Sequence, residues 1–423
     1  MSTAAPSRPR HWLLGHPYVG VLRNPHLRRL YLGIFVSSIG DGVAVVTVPW
    51  LALEVAGTFN RALAVAAAAT LAFLPGIPLS LVAGLRRWRI PPRTMLVVDS
   101  VFRGALFTLM GVLAVTHRLA LGPYLIILAV SSLTRTLVAG ARRTAIDQLI
   151  RPEQRLAANS LLGTCFQLGQ DVLGPAAGGL LIAGPGPGVA LLVDAASFAV
   201  LGGLALALPV AARTETGAEP EAQGPRLSVL RSVPRFVLWL IGVTFVFNFL
   251  YGPIDVGLPI FVRHSLGEGS TLYGQMFTVF GVGSLVGSLA VGGLRRESMV
   301  QWIMVLSIIG WGGAALLLAA ARTPAMALLA FGLGGLLYGP STAAVVSAIQ
   351  GATPVAEQGP VMSIWAAVAI GALPLGTAVG GPLVAGLGTR GTFALSAGLT
   401  LALGVVTLAA VLSPRRRTER ASP

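Results

Sequence analysis

Lysine is absent from this 423-residue chain, and all thirty of its basic residues are arginine. A Walker lysine and a lysine Schiff base are thereby excluded. Cysteine is nearly absent: Cys165 stands alone, which rules out an intrachain disulfide and a thiolate metal cluster. Charge is scarce too, at 11% of residues, where a soluble domain carries about a quarter. With 54% hydrophobic residues and a mean hydropathy of +0.79, too little polar surface exists to cover an aqueous fold. Lipid must solvate most side chains. Neither D-D-x-x-D nor H-E-x-x-H occurs, so an enzyme is not expected and no cofactor or metal is implied. The net charge of +15 would suit nucleic acid, but the arginines come in short clusters between apolar runs and form no basic face. Residues 1–29 hold no apolar core of a signal peptide and read as a cytoplasmic segment.

What is present is a series of apolar runs. Twelve are long enough to cross a bilayer, over roughly 30–53, 62–84, 94–116, 121–142, 157–183, 188–209, 236–262, 272–294, 299–321, 325–349, 360–387 and 391–412. The eleventh carries Pro374 and Pro382, and a broken helix is expected there. If the runs alternate in direction, twenty-three arginines fall on the side of the termini and five on the other, with Arg103 and Arg135 inside spans. This bias predicts a multi-pass protein of the cell membrane with both termini in the cytoplasm. The longest polar interval, 211–234, reads as a cytoplasmic linker between a six-helix half over 30–210 and another over 235–412, followed by a tail at 413–423.

The two halves repeat each other. Pro25 and Pro234, Gly33 and Gly242, and the runs Gly84-Leu85-Arg86-Arg87 and Gly293-Leu294-Arg295-Arg296 are separated by 209 positions. Further on the offset is 202: Gly169, Gly174, Gly178, Gly179, Ala183 and Gly184 recur as Gly371, Gly376, Gly380, Gly381, Ala385 and Gly386. Both copies keep one orientation, so the fold class expected is all-α, twelve transmembrane helices as two parallel pseudo-repeats of six.

Specific residues then resemble the major facilitator superfamily. Gly174-Pro175-Ala176-Ala177-Gly178-Gly179 is similar to the fifth-helix signature of drug:proton antiporters. Arg142-Arg143 through Asp147, Arg151-Pro152-Glu153 and Leu156-Ala157-Ala158-Asn159-Ser160 resemble the fourth-to-fifth-helix loop of the macrolide-efflux and enterobactin-exporter branch. Arg23-Asn24-Pro25, Ser37-Ser38-Ile39-Gly40-Asp41, Asp99 and Arg103 fit the same branch. The loop after the second helix departs from the family pattern: Gly84, Arg86, Arg87 and Arg93 are present, but its usual Asp is missing. The resemblance implies alternating access and efflux of a small molecule.

Ionisable groups inside the spans are the candidates for transport chemistry. Asp41 lies about eleven residues, or roughly 16 Å, into the first helix, near the midplane. A carboxylate stranded there tends to neutralise by taking up a proton. Asp41, Asp171 and Arg135 are therefore candidates for proton coupling, with Arg135 free to pair with Asp41, Asp171 or an anionic substrate. Asp99 and Arg103, four apart on one helix, predict a structural or gating ion pair. Asp194 and Asp255 fall nearer the outer ends and read as gate or interface residues. Gln167 and Gln170, on a polar stripe with Ser160, Thr164 and Asp171, and Asn248, Tyr251, Tyr338 and Trp365 are candidates to line a substrate cavity. Gly174, Pro175, Gly178 and Gly179 offer a close-packing face. The leading expectation is a monomeric, proton-coupled exporter of small amphipathic or hydrophobic compounds. An importer or lipid flippase of the same fold, or a non-transporting accessory protein, are the alternatives.

Overall fold

Pro25, Pro92, Pro187 and Pro324 each stand in the first turn of a helix, where a missing backbone N–H leaves no bond unmade. Asn24, Asn60 and Thr323 cap helix starts with their side-chain oxygens. The structure, a computed structural model, describes residues 17–85, 90–209, 233–291 and 297–412. The helices are α1 (Pro17–Leu22), α2 (Pro25–Val55), α3 (Arg61–Leu71), α4 (Gly76–Leu85), α5 (Pro92–Val115), α6 (Leu121–Asp147), α7 (Arg155–Leu168), α8 (Gly174–Ala183) and α9 (Pro187–Leu206). After the linker come α10 (Arg235–Ile260), α11 (Ser270–Val291), α12 (Glu297–Ala320), α13 (Pro324–Ala352) and α14 (Val355–Leu412). No strand occurs among the described residues. Arg86 and Arg87, most of the 211–234 linker and the 413–423 tail lie outside them.

Ten helical stretches among the described residues are long and apolar enough to cross a membrane. One of them, α14, turns at Gly388, whose φ of 70° belongs to the left-handed region, and so has two arms. A further apolar run, Arg155 to Ala183, is interrupted by a π-helical segment at Gly169–Leu173. The ten stretches, the second arm of α14 and the interrupted run are the segments that the expected count of twelve would need.

The break expected in the eleventh run is not at its prolines. Helix continues through Pro374 and Pro382, and the Pro374 carbonyl accepts from the hydroxyls of Thr377 and Thr70. The Thr70 bond ties the helix at Pro374 to α3, but neither bond satisfies the carbonyl four residues earlier that the missing proline N–H leaves free. Interruptions appear instead near Pro75, between α3 and α4, and at the π segment.

The glycine repeat does the same packing work in both halves. A Cβ on Gly174 would meet the Gly42 Cα at 2.5 Å, and one on Gly178 the Val43 Cα at 3.1 Å. Two hundred and two positions later, a Cβ on Gly376 would strike the Phe249 carbonyl, and one on Gly380 would lie 2.8 Å from Pro253 Cα. In each repeat the fifth helix therefore lies backbone-to-backbone on the first. The next glycine of each set faces the other repeat. A Cβ on Gly179 would meet Ser270 O at 2.9 Å on α11, and one on Gly381 the Ala66 side chain at 2.6 Å on α3.

Candidate functional site

Two deep features are built from these helices, one in each repeat. In the first, Asp41 on α2 and Arg103 on α5 are almost fully buried and joined by a 2.9 Å ion pair. The other guanidinium nitrogen stands 4.0 Å from Asp99, so the expected Asp99–Arg103 contact exists as the longer arm of a bridge between helices. Phe198 and Phe107 flank the guanidinium, its Cζ lying 4.2 Å from the centre of the Phe198 ring. Asp194 on α9 joins this cluster, contrary to its expected place at an outer gate. It is fully buried, accepts from the Ser197 hydroxyl at 3.3 Å, and would be met at 2.5 Å by a Cβ on Gly40. The reason is its surroundings: α9 begins at Pro187, where expected, and the Asp194 side chain about 10 Å inside it meets α2.

Arg142, counted with the cytoplasmic loop, is also buried, because α6 runs on to Asp147. It reaches the Ser37 hydroxyl at 3.5 Å and lies over Phe166. Arg135 lies over Phe73 with its Cζ 4.3 Å from the ring centre, and among the described residues it makes no ion pair with Asp41 or Asp171. Arg93 sits half-buried in the first turn of α5.

Asp171 lies in the π segment, half-buried on the seam with α11, where its carbonyl is pressed by Gly281. Gln167 donates to Gly281 O at 3.4 Å across this seam, and Thr278 donates to Val172 O at 3.3 Å. Part of the predicted polar stripe therefore binds the two repeats together. Gln170 is half-buried, and its carbonyl would meet a Cβ on Gly42 at 2.5 Å.

The second deep feature is a cavity of about 240 Å³ among α10, α12, α13 and α14. Asn248, Tyr338 and Trp365 line it, as expected; Tyr251 does not, its ring packing against Trp311 with centroids 5.3 Å apart. The sequence reading missed Thr244, Phe247, Ser341 and Thr342, which share the wall with apolar residues such as Met304 and Ile308. Thr244 and Asn248 are four apart on α10, the spacing that could have linked them. Phe247 stacks on Tyr338 at 5.7 Å. Among the described residues, the cavity wall contains no Asp, Glu, Arg or His.

At the end of the bundle bearing Asn60 and Gly388 the repeats are in contact. Arg61 donates to His264 Nε2 at 2.9 Å, Arg263 stands 4.0 Å from Glu54, and Trp50 stacks on Tyr273 at 5.9 Å. Ser270 donates to Gly179 O at 3.1 Å. Because a guanidinium only donates, the imidazole must accept through Nε2. Replacing His264 with arginine sets two permanent cations against each other, and the two repeats should part at this end. Pulsed-EPR distances between labels at positions 59 and 389 should lengthen in His264→Arg, and an unchanged distribution would rule this contact out as a latch.

Comparison with known proteins agrees with this architecture. The chain matches the family model of the Major Facilitator Superfamily over residues 30–301 and 254–423. It is 28% identical over 411 residues to the multidrug efflux pump Tap of Mycolicibacterium fortuitum, covering 93% of this chain and 97% of that one. An uncharacterized MFS-type transporter of Sinorhizobium fredii is 26% identical, over 87% of this chain and 90% of that one. Among solved structures, the nucleoside transporter NupG superposes with a TM-score of 0.71 at 13% identity, covering 91% of this chain and 99% of that one, a likeness of fold.

Proposed function

The chain belongs to the major facilitator superfamily, a family of membrane transporters, and on that footing we propose that it is a proton-coupled exporter of small amphipathic or hydrophobic compounds. The observation that carries this reading is the separation of buried charge from the uncharged cavity. Asp41, Asp99, Arg103 and Asp194 form one cluster in the first repeat, while the 240 Å³ cavity in the second has no charged residue among its described wall. Such a division lets one repeat handle protons and the other the cargo. Similarity to a multidrug efflux pump favours export as the direction.

In this reading the halves 30–210 and 235–412 rock about the two seams as a monomer, with both termini cytoplasmic. The end closed by Arg61–His264 then faces outward, and the cargo enters from the cytoplasm. Arg103 governs Asp41: the carboxylate exchanges a proton only when the guanidinium is drawn away. Asp171, at the seam with α11, senses the relative movement of the repeats directly.

Inside-out vesicles carrying a pH-sensitive dye test the coupling. Wild-type protein should release protons when substrate is added, and Asp41→Asn with Asp171→Asn should lose that release. Undiminished release from the double variant would refute proton coupling through these acids.

A further inference from the structure

Hydrogen bonds within the second-repeat cavity fix how Asn248 is turned, leaving its Oδ1 and its second Nδ2 hydrogen uncommitted. Asn248 Nδ2 donates to the Thr244 carbonyl at 2.9 Å. Trp365 Nε1 donates to the Thr244 hydroxyl at 3.3 Å, and that hydroxyl donates to Leu240 O at 2.9 Å. The Ser341 hydroxyl donates to Tyr338 O at 2.6 Å. The Thr244 carbonyl can only accept, so the amide of Asn248 has one sensible orientation, with Oδ1 left as an acceptor. The Tyr338 and Thr342 hydroxyls either donate or accept; Oδ1 only accepts.

We infer that this cavity takes a neutral, planar aromatic molecule carrying a hydrogen-bond donor, which Asn248 Oδ1 receives while Phe247, Tyr338 and Trp365 enclose the ring. This names the cargo class and rests on the exporter reading above. An ion of either sign entering the cavity would lose its water without meeting a countercharge among the described wall residues, none of which is ionisable as an acid or base near neutral pH. A neutral ring loses little and gains stacked aromatic contacts. Its donor then decides selectivity, since a buried site that expects a donor penalises an analogue lacking one.

Four naphthalene probes separate these statements: β-naphthol, its methyl ether, β-naphthoate and the naphthyl-trimethylammonium cation. Binding to full-length protein in nanodiscs is read by quenching of tryptophan fluorescence against empty discs. Naphthol should bind about tenfold more tightly than the ether, the size of one hydrogen bond, and neither ion should compete. Asn248→Leu should narrow the gap between naphthol and ether to less than about twofold. Asn248→Asp should admit the cation, which keeps the test informative if the leucine variant fails to fold. Either ion binding the wild type as tightly as naphthol would overturn the neutral class. A tenfold gap surviving in Asn248→Leu would overturn the role of Asn248. The predicted binding pattern without naphthol efflux from proteoliposomes would retain the cavity assignment and remove the export reading. Export of a charged compound without naphthol binding would do the reverse.

Discussion

Arg103→Leu should be among the most damaging single substitutions in this protein, costing about 3–5 kcal/mol of stability, the usual penalty for stripping a buried ion pair of one partner. Asp41, Asp99 and Asp194 would be left facing one another with their nearest cation gone. Leucine would also give up the guanidinium's contact with the Phe198 ring. Transport should fall to background, and the melting temperature in detergent should drop with it. Adding Asp41→Asn to the variant removes one of the stranded charges and should recover part of the melting temperature without recovering transport. A wild-type melting curve for Arg103→Leu would mean that the acids draw their compensation from elsewhere, and the cluster would lose its claim to be a unit.

The second large effect is expected at Gly179, where folding and transport should come apart. A leucine there meets Ser270 O and Gly274 Cα, which would stand 2.9 Å and 3.1 Å from the new Cβ. Those atoms belong to the other repeat, so the conflict is relieved when the repeats separate at that end. The protein should fold and melt nearly as the wild type does, yet be held in the state open at the Arg61–His264 end. Each 1.4 kcal/mol of bias against closure changes the ratio of states about tenfold, so transport should fall by at least about that factor. Cysteines introduced at Arg61 and His264 report the conformation, since the lone native Cys165 is buried. Their cross-link should form readily in the wild-type background and disappear in Gly179→Leu. A cross-link that persists while transport is lost would assign the damage to something other than closure.

Much of the architecture was legible in the sequence because lipid imposes length and the repeat imposes periodicity. The glycines at offset 202 were visible as a pattern, and the structure gives the pattern a cause: Gly174 and Gly376 permit the same backbone contact in each repeat. Local backbone irregularity was not legible. Nothing in the residues Gly169–Leu173 announces a π segment, and the prolines of the eleventh run advertised a break where the helix continues. Asp41, Asp99 and Arg103 stood out because ionisable groups in lipid are rare. The spacing of Asp99 and Arg103 was legible too, but the pairing of Arg103 with Asp41 was not, since it depends on which face of α2 meets α5. Arg142 was misjudged because α6 runs on to Asp147 beyond the expected end of its span. Asp194 was misjudged although its helix starts where expected, because which helices surround a side chain is not written in its own segment. Thr244 could be reached only through its four-residue spacing from Asn248, and Ser341 carried no signal until α10, α13 and α14 form one wall.

The cavity and the charge cluster occupy different repeats, and this arrangement bears on how such a pump evolves. Substitutions that recontour Phe247, Ser341 or Trp365 touch neither Asp41 nor Arg103. On the exporter reading proposed above, the spectrum of exported compounds can therefore drift under selection while the proposed coupling residues stay fixed. Survivors of a selection on a new toxic aromatic should carry their changes on α10, α13 and α14, with α2, α5 and α9 unaltered, and sequencing them reads this directly. A pump so divided can acquire a new resistance without rebuilding its engine.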